Sequence, residues 1–405
     1  MLKTLDECFD WLYEPREFEA KFDLSRMYKA IDLFNRPIDY KCIHVAGTNG
    51  KGSTVSYIKN MLIQSGYKVG TFISPFVVIF NERITLNNQY ISDEDFIRLC
   101  NHVHINLMTA SLEISFFEIL TLISFLYFEE NEVDYAIIET GVGGRLDSTN
   151  VINKELALIT NVGLDHQDML GDTLEKIAKE KLGIVDDVLI SSVQDSLKPL
   201  FEEYTSMRNS KVIFTERVEE LKNSIDSTTF KYKGLDVELS MLGEHQASNA
   251  SLAIDAVLYL KENKRLEISK EDMLKGLKNT FWPGRLEKIG KSVYVDGAHN
   301  REGVTSLVNF LNKFPQKKQI IFSCLSDKPQ DEMITLLDEV ADEIIFTEFD
   351  YPRCEQAKVL YEQSTHLNKK IVQDYTETFN LVDDSALTVF CGSLYFISLV
   401  RQNNL

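Results

Sequence analysis

The chain alternates short, continuously apolar runs with longer segments of helical periodicity. Apolar runs at 41–46, 69–73, 134–139, 156–162 and 188–191 lack an in/out alternation, as expected of strands buried on both faces. A helical pattern covers 53–65, and an apolar stretch over 115–128 reads as a buried helix. Strands alternating with helices predict a parallel sheet covered on both sides. A second series follows Trp282-Pro283-Gly284-Arg285, with strands at 292–295, 319–323, 343–347, 370–372 and 387–390 and helices at 303–313 and 331–340. Residues 214–238 alternate and are charged, which predicts an edge hairpin. The expected fold class is α/β in two domains, residues 1–285 and 286–405, divided where Pro283, Gly284 and Gly290 punctuate the chain.

A length of 405 residues exceeds one ordinary core and agrees with two domains. The net charge of -19, with no local basic stripe, argues against a nucleic-acid partner. The 115–128 stretch contains Glu118 and falls short of the roughly 20 residues that span a bilayer. The opening Met1-Leu2-Lys3-Thr4-Leu5-Asp6-Glu7 lacks the apolar run of a signal peptide, so no membrane association is expected. Cys8, Cys42, Cys100, Cys324, Cys354 and Cys391 form no CxxC pair. They read as core thiols of a cytoplasmic protein.

The first strand runs into Gly47-Thr48-Asn49-Gly50-Lys51-Gly52-Ser53 and then a helix. Backbone N–H groups and a helix N-terminus converge there on an anion, which makes the first domain a P-loop-type parallel sheet. Thr48, Asn49, Gly50, Lys51, Gly52 and Ser53 are the expected nucleotide contacts. Lys51 would reach the β- and γ-phosphates of ATP and the Ser53 hydroxyl would sit on Mg²⁺. The loop departs from GxxxxGK[ST], since Val45 stands at its first glycine and Gly52 follows Lys51. An ordinary glycine-rich turn is the competing interpretation. Glu139 ends a buried strand, where a carboxylate can hold Mg²⁺, or where a plain strand-end acid meets solvent. His166 follows a strand's carboxyl end, the side on which α/β folds bind ligands. Lys181, by itself, reads as one solvated lysine among several.

The glycine loop resembles that of the Mur ligase superfamily. Further strings narrow the resemblance: Ser74-Pro75-Phe76, Asn81-Glu82-Arg83-Ile84, Glu139-Thr140-Gly141-Val142-Gly143-Gly144-Arg145-Leu146-Asp147-Ser148-Thr149-Asn150, Glu180-Lys181, His245-Gln246, Asn249-Ala250 and Asp296-Gly297-Ala298-His299-Asn300. Together they resemble the folylpolyglutamate synthase and dihydrofolate synthase family over residues 47–300, with a thinner match at 185–240 and beyond 305. Phe76 stands where many members have histidine.

The resemblance implies a second domain that is a smaller Rossmann-like α/β unit. It implies an ATP-dependent amide ligase, acting as a monomer through an acyl phosphate. L-Glutamate would be added to a folate, to dihydropteroate, or to both. It implies two Mg²⁺ sites drawn from Ser53, Ser74, Glu139 and His166, with a carbamylated Lys181 as a further ligand. Asn249, Arg285 and Asp296 would contact the nucleotide and His299 its phosphates. Lys51, Glu139, His166, Lys181 and His299 would carry the catalysis, and Leu146, Asp147 and Ser148 would lie beside the pterin. Asp23, Phe117 and Glu118 would share that pocket, with N-cap and core-helix roles standing as alternatives for them. A Mur-type ligase of a cell-wall precursor and a P-loop NTPase or kinase without amide formation are the competing functions.

Overall fold

The computed structural model describes residues 1–14, 23–34, 40–263 and 265–403. It comprises two compact units, one of Met1–Arg217 with Ser248–Asn279 and one of Val218–Ala247 with Thr280–Leu405. In this division residues 218–247 fold with the second unit, although they precede the boundary expected near residue 285.

The first unit is built on an eight-stranded sheet. Its strands are Lys41–Ala46 (β1), Val69–Phe72 (β2), Ile84–Leu86 (β3), Gln89–Tyr90 (β4), Tyr135–Glu139 (β5), Leu156–Ile159 (β6), Val188–Ser191 (β7) and Lys211–Phe214 (β8). They lie in the order β4-β3-β2-β5-β1-β6-β7-β8. From β2 to β8 neighbours are parallel, while β3 and β4 add an antiparallel edge. The central strands are buried along their lengths, which explains their unbroken apolar runs. The edge strands β3 and β4 span only three and two residues, too short to leave a periodic signal.

The helix Phe116–Glu130 is apolar on every side because it is buried on nearly every side. Ser115 caps it, and Glu118 returns the bond to the Ser115 amide at 2.7 Å. Phe128 on this helix is fully buried and packs edge-on against Tyr40 at 6.0 Å. It also lies over Gly70 of β2, where an added Cβ would come within 2.5 Å of the ring.

In the second unit the expected hairpin is a three-stranded antiparallel sheet of Glu219–Asn223 (β9), Thr228–Tyr232 (β10) and Leu235–Leu239 (β11). Alternate residues of β10 and β11 are buried, so the charged alternation is that of a sheet with one covered face. Its β9–β10 turn is tied to the rest of the unit by the Lys288–Asp226 ion pair at 3.0 Å and by Tyr294 Oη donating to the Ile225 carbonyl at 3.4 Å. The larger sheet contains Glu287–Lys288 (β12), Val293–Asp296 (β13), Lys318–Phe322 (β14), Glu343–Glu348 (β15), Lys369–Asp374 (β16) and Leu387–Cys391 (β17), in the order β12-β13-β17-β14-β15-β16. Only β12 runs antiparallel to its neighbour. Among the described residues no helix is long and apolar enough to cross a membrane.

Phe128→Ala would open a cavity against Gly70 and Tyr40 and cost about 3–5 kcal/mol. A thermal-unfolding scan should show a clearly lowered first-unit midpoint, and an unchanged midpoint would contradict this packing.

Candidate active site

Strand register assembles the centre of the site. In the β1–β5 pairing Val45 lies opposite Glu139, and in the β1–β6 pairing Ala46 lies opposite Ile159. The segments leaving the carboxyl ends of β1, β5 and β6 therefore emerge side by side, where α/β sheets bind ligands.

The β1 segment is the glycine loop, and its neighbours hold it by hydrogen bonds. The Thr48 amide donates to the Asn161 carbonyl at 3.0 Å and the Asn49 amide to Asn161 Oδ1 at 2.8 Å. Thr160 Oγ1 donates to the Asn49 carbonyl at 2.6 Å. Gly47 has no room for a side chain, since an added Cβ would sit 1.8 Å from Thr160 Oγ1. Gly50 has φ +86°, and an added Cβ would lie 2.3 Å from Asn249 Oδ1. Asn249 thus abuts the loop, on the helix Glu244–Glu262.

Lys51 opens the helix Lys51–Gln64, and its Nζ donates to the Gly47 and Thr48 carbonyls at 3.1 and 3.2 Å. The same Nζ lies 3.8 Å from Glu139 Oε1. Glu139 is buried, as is Ser53. The Ser74 amide donates to Glu139 Oε2 at 3.4 Å, which brings the Ser74-Pro75 loop to the carboxylate. The expected residues Lys51, Ser53, Ser74, Glu139 and Asn249 are all found around this one loop.

The Ser74 loop is held by residues whose part was not read from sequence. Glu82, itself buried, accepts from the amides of Val77, Val78 and Ile79 at 2.8, 3.1 and 3.2 Å. Arg83 donates to Ser74 Oγ at 3.0 Å. Its guanidinium lies 5.2, 5.5 and 6.0 Å from the ring centres of Phe76, Phe80 and Phe116. The only signal of these roles was the motif Asn81-Glu82-Arg83-Ile84, which gives no partner for either charge.

Lys181 is buried near the end of the helix Leu174–Leu182. Burial, with Lys51 nearby, lowers its pKa to about 7, against the opposing pull of Asp165 and Asp147. It is thus a buried amine near Lys51, in place of the solvated lysine its bare sequence suggests. His166 is half-exposed, in a left-handed conformation with φ +51°, and its Nε2 stands 4.0 Å from Asp165.

The segment after Glu139 packs on the same helix, with the Arg145 amide donating to the Glu180 carbonyl at 2.7 Å and its guanidinium paired with the Glu180 carboxylate at 2.9 Å. Asp147 is buried there, and desolvation raises its pKa against the backbone and hydroxyl bonds that lower it. It accepts from the Val142 and Thr149 amides at 2.9 and 3.0 Å. Ser148 Oγ bonds Thr121 Oγ1 at 2.8 Å. Phe117 lies over Gly141, stacked on Phe72 at 5.6 Å. Arg26 Nε reaches Glu118 at 3.4 Å, and Asp23 accepts from the Ser25 amide at 2.9 Å. Glu118 thus closes the capping box of its own helix on Ser115, whereas Asp23 precedes the helix Ser25–Asp32, whose N-cap Leu24 makes no side-chain cap bond.

The second unit gathers its own group. Asp296 is buried and accepts from the Leu286 and Ala298 amides at 2.8 and 2.9 Å. Desolvation raises its pKa and Arg285 opposes the rise. His299 Nδ1 bonds the Gly297 carbonyl at 2.8 Å, so that nitrogen carries the hydrogen.

Residues 45–257 match the Mur ligase middle domain and 284–394 the Mur ligase glutamate ligase domain. The fold is that of a Mur-type ligase. The chain is 38% identical to a dihydrofolate synthase/folylpolyglutamate synthase of Bacillus subtilis over 99% of both chains, and 31% identical to a folylpolyglutamate synthase of Lacticaseibacillus casei over 89% of both. The crystal structure of a Thermotoga maritima folylpolyglutamate synthase superposes with TM-score 0.85 at 31% identity, covering 98% of this chain and 95% of that one. An FPGS–AMPPCP–folate complex superposes with TM-score 0.86 at 28% identity over 99% of both. The protein belongs to the folylpolyglutamate synthase/dihydrofolate synthase family of ATP-dependent ligases.

Glu82→Gln would turn an amide group toward backbone donors and weaken the loop by about 1–3 kcal/mol. Hydrogen exchange at Val77, Val78 and Ile79 should quicken while exchange in β1 and β5 stays put. Unchanged protection at those amides would dismiss Glu82 as the clamp.

Proposed function

We infer that the protein forms an amide between a folate carboxylate and the amine of L-glutamate, driven by ATP. One observation carries the substrate class: the match to folate ligases spans the whole chain, where a phosphate loop by itself would indicate only a nucleotide. A carboxylate in water lacks a leaving group. The folate carboxylate attacks the γ-phosphorus of ATP, ADP leaves, and an acyl phosphate results. The glutamate amine then attacks the acyl carbon and phosphate departs.

Each residue has a task in this scheme. Lys51, parked on the Gly47 and Thr48 carbonyls, swings to the phosphates as charge builds on the transferring group. The loop amides and Asn249 orient the nucleotide, and Arg285, Asp296 and His299 keep the nucleotide and phosphate roles that the resemblance gives them. Phe117, Leu146, Asp147 and Ser148, with Asp23 and Glu118 supporting, border the pterin. The same reading makes the enzyme a cytoplasmic monomer that takes dihydropteroate as well as folate, the pair of activities named for the Bacillus subtilis relative.

The residues suit Mg²⁺ as an oxygen set. Among the described residues no three His, Cys, Asp or Glu side chains cluster as a metal site. Buried Glu139, with the Ser74 amide against it, and the Ser53 hydroxyl offer the hard oxygens that Mg²⁺ prefers. His166 would add an imidazole from the β6 side, and a carbamate on Lys181 would replace a repelling cation by a carboxylate-like ligand. When bound, Mg²⁺ neutralises charge on the phosphate oxygens.

The assay supplies ATP, Mg²⁺ and labelled L-glutamate with either tetrahydrofolate or dihydropteroate. Labelled product is expected with both, and none with either pterin would refute the folate reading. Lys51→Ala should remove turnover by at least about a hundredfold while leaving the unfolding midpoint in place.

Lys181 gives a pH dependence. Its folded-state pKa of about 7 lies below the ordinary lysine value of 10.5. Below about pH 7 the amine is cationic and does not take up CO₂; above it the neutral nucleophile prevails. Carbamate signal from ¹³C-bicarbonate should therefore rise between about pH 6 and about pH 8 and vanish in Lys181→Arg. A flat profile, or a signal that survives the substitution, would remove Lys181 from the ligand set.

A further inference from the structure

His44 is a buried polar residue with no task in the reaction described so far. It sits in β1 between Ile43 and Val45, and its side chain is fully buried. Its Nε2 is 2.8 Å from Thr149 Oγ1. Thr149 is fully buried and its Oγ1 donates to Asp147 Oδ1 at 2.5 Å. A chain of hydrogen bonds thus runs from the strand under the phosphate loop to the carboxylate that gathers the segment after Glu139.

The direction of this chain is determined. Asp147 receives the Val142 amide on Oδ2, the Thr149 amide on Oδ1, and a further bond from the Gly141 backbone. Oδ1 takes both the Thr149 amide and the Thr149 hydroxyl and Oδ2 takes the Val142 amide, so Asp147 acts as the acceptor in each of these bonds. Thr149 therefore spends its hydrogen on Asp147 and accepts from His44. Nε2 carries the imidazole hydrogen and Nδ1 is bare. Nδ1 is buried and meets no hydrogen-bond partner among the described residues, which suits an unprotonated nitrogen. Burial also holds the ring neutral, well below the usual histidine pKa.

A strand position flanked by Ile43 and Val45 would accept an aliphatic side chain at lower cost than an imidazole with one unsatisfied nitrogen. What the imidazole adds is a fixed donor to Thr149. We propose that His44 is a positioning residue for the pterin-side loop: through Thr149 it locks the Asp147 carboxylate that shapes residues 141–149. This rests on the reading that this loop borders the pterin. His44 touches no substrate, and its effect should appear in pterin binding, leaving the phosphate loop unaffected.

Two pairs of variants test it in the full-length enzyme. His44→Leu fills the space without a donor, and His44→Gln restores an N–H near the Nε2 position. Thr149→Val removes the hydroxyl, and Thr149→Ser keeps it. His44→Leu and Thr149→Val should each raise KM for the pterin about tenfold, with KM for ATP and the unfolding midpoint within about twofold and a few degrees of wild type. His44→Gln and Thr149→Ser should recover most of the loss. Wild-type pterin KM in both His44→Leu and Thr149→Val would overturn the proposal. So would equal losses for ATP and pterin, which mark a general structural defect. Imidazole ¹⁵N shifts give an independent readout: His44 should hold the Nε2–H form without titrating from about pH 5.5 to about pH 8, and an Nδ1–H form would overturn the relay. If wild-type enzyme makes no glutamyl product with either pterin, the functional reading fails and the relay does not. The tautomer, and faster exchange of the Val142 and Thr149 amides in His44→Leu, then decide it.

Discussion

Because β1 pairs in parallel with β5 on one side and β6 on the other, three chain segments leave the sheet at one point. Val45 opposite Glu139 sets the reach between Lys51 and the carboxylate. A slip of one residue would turn Glu139 to the other face of the sheet and remove it from the loop. The register is held by near-complete burial of strands whose side chains pack on both faces, so the apolar core and the meeting of Lys51 with Glu139 are specified by the same pairing. The second unit repeats the scheme on a smaller scale. There β13 pairs with β17, and Asp296 and His299 follow at the carboxyl end of β13.

Much of this was legible in the sequence, for physical reasons. Strands buried on both faces must be continuously apolar, and the central strands of both sheets announce themselves that way. Loops that bind phosphate need glycine and a following helix, and the chain shows both. What stayed hidden depends on partners distant in sequence. Nothing in the local sequence says that Glu82 collects three amides, or that His44 reaches Thr149 across 105 positions. Lys181 looked solvated because its helix carries Lys179 and Glu180 beside it, and burial of one face cannot be seen from charge alone. The placement of 218–247 with the second unit is a tertiary choice, made by contacts such as Lys288 with Asp226.

The acids of this protein also divide into two kinds that sequence does not separate. Glu82, Asp147 and Asp296 are buried carboxylates that accept backbone amides from the turns around them. A carboxylate has several acceptor sites and no hydrogen of its own, so one side chain can pin several amides at once. These residues give a loop its shape, and desolvation raises the pKa of Asp147 and Asp296 while the amide bonds oppose the rise. Glu139 differs because it ends a strand facing the ammonium of Lys51. An acid-rich motif such as Glu139 to Asn150 therefore holds one group suited to a cation and another, Asp147, that keeps the surrounding backbone in place. The loop of residues 141–149 can then be rigid without being apolar. A loop built this way holds its polar groups at fixed positions, because the carboxylate that organises it is already occupied with the protein's own amides.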